Sequence, residues 1–517
     1  MVGAVSMTSL RSTFVLLTAA AAGMAALLAF LPAAGHDQLW CLYAAQHVLS
    51  GTRLYGPELL ESNPPLIIWL SIFPAAVAHG FHLPAAAVGK ALAVVLEIAV
   101  AAVALRQVRH LFPVSGTQLV ALAFAFVTIF NVIPARDLGQ RDYLLALLCL
   151  PYVLASAGRV EDRWDAEYIL IGLAAGVGLA LKPHQAVLPV AIELYLIVRN
   201  RSVRSLLRPE PLAIVAVGAA YLAAIHKFTP EYLTTVLPIL RDTYWAVGSL
   251  GLPELVWQAI ELHILAAVAI FFWFKQRGGG PVPCLLIAGA ASTLAYYLQG
   301  TGWYYQQLPG ISFFGIARVF EALPLLDRPV QTWVPKATAA LAILALALTT
   351  HFMHYSFTAD RSFAIDTPDP AFFAGLAPGS AVATLTTTVD YTVMPAARYG
   401  LTIAQRYPHL WMLPAILRSE QREAGHAPSH IIPADRLAEL DRLQHQFMTE
   451  DLQRWQPALV LIERCQKPDV HCQLLEDRHD DLLAWFLRDP GFAEEWKHYS
   501  FTGSRGPFDA YIRMSSD

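Results

Sequence analysis

The sequence predicts a polytopic α-helical membrane protein with a C-terminal α/β domain, and three observations carry that reading. Of the 517 residues, 56% are apolar and only 15% are charged, against roughly 45–50% and about 25% in an ordinary soluble domain. Apolar runs long enough to cross a bilayer, about 20 residues each, recur along the first 352 residues. The remainder, 353–517, is polar: it holds 22 of the 40 acids and 15 of the 36 basic residues, and is long enough to bury a core of its own. The chain therefore divides into a transmembrane part, 1–352, and a separate domain, 353–517. A soluble enzyme, a disordered chain and a collagen are excluded. A net charge of -4 with no long basic run argues against nucleic acid as the main partner.

Eleven candidate spans lie near 12–34, 84–105, 114–133, 142–157, 168–181, 186–198, 211–226, 255–274, 281–299, 311–327 and 335–352. One more apolar run, 64–80, opens with Pro64 and Pro65 and contains Pro74. The positive-inside rule arbitrates. If 64–80 lies along the interface, Arg11, Arg106, Arg109, Arg159, Arg163, Arg199, Arg201, Arg204, Arg208, Lys275, Arg277, Arg328 and Lys336 all face the cytoplasm. Letting it cross would put the four-arginine loop 199–208 outside. The run is therefore read as a juxtamembrane helix, the N-terminus as cytoplasmic, and the C-terminal domain as periplasmic to a bacterial inner membrane. The first run also fits a secretory signal ending near Ala33-Ala34-Gly35. Its apolar core is longer than a usual signal's, which favours an uncleaved span.

The tail has strand patterns at 380–387, 458–463 and 508–513 and helical patterns at 437–448 and 474–487. It contains no phosphate loop, zinc-ligand spacing or nucleophile elbow. Cys149 and Cys284 sit in apolar runs as small core residues. Cys465 and Cys472 bridge only if the tail faces an oxidising compartment, and the spacing leaves that open.

The first outside loop is the most informative stretch. Asp37 directly follows the first span, at the water–hydrocarbon boundary. Leu39, Leu42, Tyr43, Gln46 and Leu49 recur at helical spacing, and Gly51 suits a helix end. A charge placed at an apolar boundary is costly and often functional; the plainer alternative is an N-cap for this helix.

An acid after the first span, an Ala-rich helix ending Gly51-Thr52-Arg53-Leu54-Tyr55, and Asn63-Pro64-Pro65-Leu66 opening a second juxtamembrane helix resemble the GT-C superfold of membrane glycosyltransferases. The likeness is to the branch of protein O-mannosyltransferases and the lipid A aminoarabinose transferase. It implies a donor sugar on a polyprenyl phosphate and a lipid, polysaccharide or protein acceptor. The isoprenoid tail must lie in the bilayer while the sugar phosphate meets the acceptor at the periplasmic surface. Inverting displacement needs a base for the acceptor hydroxyl's proton, and by match Asp37 takes that role, beside His36 where many members carry a second acid. Gly139-Gln140-Arg141-Asp142-Tyr143 resembles the second acidic position, with Asp142 catalytic and Arg141 on the donor phosphate. Lys182 and His184, in Leu181-Lys182-Pro183-His184-Gln185, match a segment that stabilises the departing phosphate. Trp303, Tyr304, Tyr305 and Gln306, in the segment 299–309, together with His36, Tyr43 and Glu61, are implied as sugar or acceptor contacts. No metal set stands out; Asp37, Glu58, Glu61 and Asp142 offer oxygen ligands for magnesium or manganese, but the resembled branch works without a metal. A helix cap at Asp142, a snorkelling lysine and an interfacial aromatic belt are the structural alternatives at these places.

Two rival functions remain. Lys90, Glu97, Glu193, Arg318 and Glu321 lie within apolar spans and suit a secondary transporter, though no internal repeat supports it. A non-catalytic assembly subunit would use the tail to bind a partner.

Overall fold

The computed structural model describes residues 34–158, 164–247, 250–276, 279–325, 368–420, 432–470, 472, 474–475 and 479–514. The runs at 12–34 and 335–352 lie outside these, apart from Ala34. Each of the other nine coincides with a helix or a helix pair. Helix α1 (His36–Leu49) and α2 (Leu66–Phe81) form the first loop. The bundle helices are α3 (Ala85–Leu111), α4 (Gly116–Val127), α5 (Arg141–Gly158), α6 (Ala166–Leu181), α7 (Val187–Asn200) and α8 (Pro209–Phe228). After α9 (Leu237–Thr243) come α10 (Leu252–Gln258), α11 (Ile260–Gln276), α12 (Val282–Gln299) and α13 (Leu308–Ala322). Among the described residues only α3, α8 and α12 are singly long and apolar enough to cross a bilayer; α10 and α11, bent by 74°, make a fourth if they count as one span. The expected count thus includes runs that fold as shorter helices. Local breaks explain part of this, as where α4 passes into a π-helical turn, Thr128–Val132.

The chain forms two compact units. The bundle unit contains Val77–Ala223 and the described residues from Leu250 to 325. Its centre is α5, buried along nearly its whole length and packed against α3, α6, α12 and α13. Glycines set the approach of α6 to α8: a Cβ on Gly172 would lie 2.6 Å from the Glu210 carbonyl oxygen, and one on Gly176 2.7 Å from Val217 Cβ. Small residues at this spacing let helix backbones come close. The outer surface is apolar, with Val95, Val215 and Leu222 each at least 60% exposed; such a surface on a helical bundle calls for lipid. The charges within the spans are paired. Glu193 accepts from the Tyr152 hydroxyl at 2.8 Å and pairs with Arg208, Asn131 donates to Glu97, and Arg318 pairs with Glu321.

The polar unit gathers His36–Ala76, Ala224–Ser249 and the described tail. Its sheet has the order β2-β1-β3-β5-β4. Strands β1 (Ala381–Leu385), β2 (Thr402–Ile403) and β3 (Leu459–Glu463) are parallel, and β4 (Tyr499–Arg505) and β5 (Phe508–Arg513) complete it antiparallel. Between the parallel strands run α14 (Asp390–Tyr399), α15 (Leu413–Glu420) and α16 (Ala434–Trp455), as parallel pairing requires a crossover. The strand expected over 380–387 is shorter because Thr386 turns aside, its hydroxyl donating to buried Glu463 at 2.7 Å. Among the described residues of the helix expected over 474–487 lies α17 (Leu482–Phe486), started by Asp481 accepting from the Ala484 amide. Upstream, Cys465 and Cys472 are joined in a disulfide, Cα atoms 5.6 Å apart, and Leu475 turns back onto the Cys472 carbonyl. The first loop joins this unit through backbone. The Leu60 amide donates to the Arg406 carbonyl at 2.7 Å, while Asp451 accepts from the amide and Nε of Arg406 at 2.9 and 2.8 Å.

Cys41, Cys149 and Cys284 are free, so thiol labelling of the denatured protein should mark three cysteines without reductant and all five with it. Closing this short loop contributes about 2.5 kcal/mol by the chain-entropy relation, and replacing both Cys465 and Cys472 by Ala should lower the polar unit's stability by about that amount. Burial pushes the Glu463 carboxyl up to about 7, against the opposing effect of the Thr386 hydroxyl. A raised carboxyl contributes stability below its unfolded value, and this is lost as pH rises through about 7. Thermal unfolding midpoints should therefore favour wild type over Glu463→Gln at about pH 5 and reverse or level at about pH 8.

Candidate active site

In the bundle unit, α5 begins, α6 and α12 end, and α13 begins around one set of polar side chains. Gly139, at φ +85°, turns the chain into α5, and the Gln140 side chain accepts from the Asp142 amide at 3.0 Å. Gln140 therefore fills the capping role, which leaves the Asp142 carboxylate for other work. Asp142 is fully buried, and its Oδ2 lies 2.9 Å from Lys182 Nζ. Lys182 ends α6 and precedes Pro183, whose ring cannot continue the helix. Its ammonium also donates to Gln299 at 3.3 Å, at the end of α12, and stands 5.4 Å from the Tyr305 ring centroid. The lysine points inward into a pair and does not snorkel.

His184 lies in the 3-10 turn between α6 and α7. Burial first, then the charges of Lys182 and Arg141, hold its imidazole down to about 4 against the pull of Asp142; it is a neutral hydrogen-bonding group at neutral pH. Arg141, Asp142 and Lys182 are thus all within electrostatic reach of His184. Gln185 is fully buried; among the described residues neither end of its amide, nor Asp142 Oδ1, has a hydrogen-bond partner. A buried polar atom without a partner costs about 1–3 kcal/mol, so this is where a polar ligand group would be accommodated.

The loop before α13 contributes one ring and otherwise supports itself. Tyr305 carries the lysine contact and lies 5.7 Å from the Trp303 ring. The Tyr304 hydroxyl donates to the Ile133 carbonyl at 3.1 Å, and buried Gln306 accepts from Thr301 at 2.9 Å.

In the polar unit, Asp37 sits in the first turn of α1, about a quarter exposed, with Oδ1 3.4 Å from His36 Nε2. His36 Nδ1 lies 2.9 Å from Asp390 Oδ2, in the first turn of α14. Nearby His409 is half-buried and held down to about 3, by desolvation first and then by His36, with Asp37 opposing. The Tyr43 hydroxyl accepts from the Ile403 amide at 3.0 Å, and burial raises it to about 12. Glu61, buried, receives Trp40 Nε1, the Asn63 amide at 2.6 Å and Asn63 Nδ2 at 2.7 Å. Tyr43 and Glu61 are thus committed to holding the loop and the sheet edge.

Residues 62–226 match the family described as dolichyl-phosphate-mannose-protein mannosyltransferase. The structure is similar to that of ArnT from Cupriavidus metallidurans in the apo state, with a TM-score of 0.56 at 13% identity, covering 98% of this chain and 99% of that one. It also matches the arabinofuranosyltransferase AftD from mycobacteria at a TM-score of 0.49 and 15% identity, covering 97% of this chain and 40% of that one. No curated protein matches the sequence.

The fold is GT-C. The family model covers about a third of the chain, and the likeness to ArnT, at 13% identity, is one of fold. Arg141, Asp142, Lys182 and His184 fall within the family-matched residues, whereas Asp37 lies before them. Residue types and motif spacing pointed to Lys182 and Asp142 separately, but not to their pairing. Gln185 and Gln299 stood inside quoted motifs without a role. Asp390 and His409 carry no local signal, since only folding of the tail brings them to α1. Among the described residues the grouping with metal-ligand geometry is Glu463, Cys465 and Cys472, and its two sulfurs are consumed in the disulfide.

Breaking a buried ion pair from one side leaves an uncompensated charge, at about 3–5 kcal/mol. Lys182→Met and Asp142→Asn should each destabilise the full chain in detergent by about that much. The double variant should lose clearly less than the sum, as read from unfolding midpoints in a double-mutant cycle.

Proposed function

We propose that this protein is an inverting glycosyltransferase that moves a sugar from a polyprenyl phosphate donor to an acceptor at the periplasmic face of the inner membrane. The convergence of Arg141, Asp142, Lys182 and His184 in the family-matched residues carries this reading. Lys182 and Arg141 both act as cations on this spot, which suits the negative charge of a phosphodiester-linked sugar. As the bond to the anomeric carbon breaks, a second negative charge develops on the leaving phosphate. Lys182 and Arg141, held in a low-dielectric setting, stabilise that charge more in the transition state than in the ground state. Asp142 holds the ammonium in place, and neutral His184 offers a hydrogen bond.

Asp37 serves as general base, accepting the proton of the acceptor hydroxyl while its oxygen attacks the anomeric carbon. Its exposure, about one quarter, suits a group that must meet a substrate. Trp303 and Tyr305 offer ring faces for a sugar. The family name specifies a dolichyl phosphate mannose donor and a protein acceptor for its members. Here the acceptor class, lipid, polysaccharide or protein, is for experiment to assign.

The test is incubation of the purified full chain in nanodiscs with polyprenyl phosphate mannose, arabinose and aminoarabinose, reading released polyprenyl phosphate by mass spectrometry. Wild type should consume one donor. Asp37→Asn should slow turnover by about 100-fold or more with donor KM little changed, and Lys182→Met should raise donor KM and lower turnover together. Full turnover by Asp37→Asn, or consumption of no donor by wild type, would refute the proposal.

A further inference from the structure

His36 lies between two carboxylates contributed by segments more than 350 residues apart. One ring nitrogen faces Asp390 at 2.9 Å and the other faces Asp37 at 3.4 Å. The three side chains are 23–26% exposed, so the array is open to a substrate but sheltered enough for its geometry to hold. Two helical turns along α1, on the same face as His36, Tyr43 takes the Ile403 amide. Helix α1 is thereby laid along the C-terminal domain with the His36–Asp390 contact at its acid-bearing end. His409, half-buried, lies within electrostatic reach of both His36 and Asp37.

We propose that Asp390 is a positioning residue for glycosyl transfer: it holds the His36 ring, and His36 orients the Asp37 carboxylate. The proposal rests on the reading of Asp37 as the general base. A carboxylate on one imidazole nitrogen fixes the ring's orientation and so decides what the other nitrogen presents. With the ring fixed, the Asp37 carboxylate is held in one orientation toward the acceptor hydroxyl. In the transfer step, the hydroxyl oxygen bonds to the anomeric carbon, the bond to phosphate breaks with its electron pair, and the proton passes to Asp37. His36 and Asp390 exchange no proton in the step. The C-terminal domain then acts in catalysis through one side chain, which a detached accessory domain would not do.

The experiment compares Asp390→Asn, Asp390→Glu, His36→Gln and Arg436→Gln in the full chain in nanodiscs, with the donor that wild type consumes. Arg436 is a comparator of similar exposure in the same unit, tied to Asp242 at 2.8 Å and remote from these roles. Asp390→Asn should lower kcat by roughly tenfold to a hundredfold, less than loss of a general base, with donor KM within about twofold. Asp390→Glu should restore most of kcat, Arg436→Gln should leave it unchanged, and Asp390→Asn added to His36→Gln should cost little more. Independently of any donor, ¹⁵N-histidine spectra should show the His36 resonance, assigned by its loss in His36→Gln, moving in Asp390→Asn and not in Arg436→Gln. Unchanged kcat or an unmoved His36 resonance in Asp390→Asn, or an equal fall in kcat in Arg436→Gln, would overturn the assignment. If Asp37→Asn alone keeps full turnover, the general-base reading fails instead.

Discussion

The buried pair of Lys182 and Asp142 is the interaction on which the bundle's chemistry depends. Neither charge is tolerable alone: an ion moved out of water costs several kcal/mol even after relaxation, and only a close counter-ion with further hydrogen bonds offsets it. That requirement ties the end of α6 to the start of α5, and through Gln299 and Tyr305 it also ties in the end of α12 and the approach to α13. Four helix termini are thereby held around one polar spot in a unit whose outer surface is apolar. The same rule governs the other charges in the spans. Glu193 with Arg208 and Tyr152, and Glu97 with Asn131, are neutralised or hydrogen-bonded in place, as expected of structural ties and not of an ion path.

The Lys182 spot is incompletely satisfied: Asp142 Oδ1 and the whole amide of Gln185 are buried without a hydrogen-bond partner among the described residues, where Glu193 and Asn131 each leave one oxygen so. A fold tolerates such a deficit where a ligand removes it. The polar unit shows the contrasting economy around Glu61, whose carboxylate is taken up by Trp40 and Asn63, and around Arg406, spread over Glu450 and Asp451. Those groups build the loop and its seat on the tail, while His36, Asp37 and Asp390 form a partly exposed titratable set.

Much of this was legible beforehand. The helix over 38–49 extends back only to His36, since the spacing of Leu39, Leu42, Tyr43, Gln46 and Leu49 and the stop at Gly51 are local properties. The tail's strands at β1, β3 and β5 were likewise visible, because short runs rich in apolar, aromatic or β-branched residues suit a strand. The short edge strand β2 was not, having two residues and no pattern, nor was β4, whose sequence alternates weakly and carries Gly503 at φ +150°. Apolarity alone does not register a break such as the π-helical turn after α4, so fewer single helices among the described residues are long enough to cross than there are apolar runs.

The sequence by itself determined the solvent each segment needs: apolar periodicity and charge placement fix which stretches seek lipid and which build a water-facing domain, because burial free energy follows composition. It also singled out Asp37, Asp142 and Lys182 as candidates for the chemistry. Only the tertiary structure decided which of them meet. The pairing of Asp142 with Lys182 and of His36 with Asp390 joins positions 40 and 354 residues apart, and electrostatic interaction depends on distance in space, which no local pattern along the chain encodes.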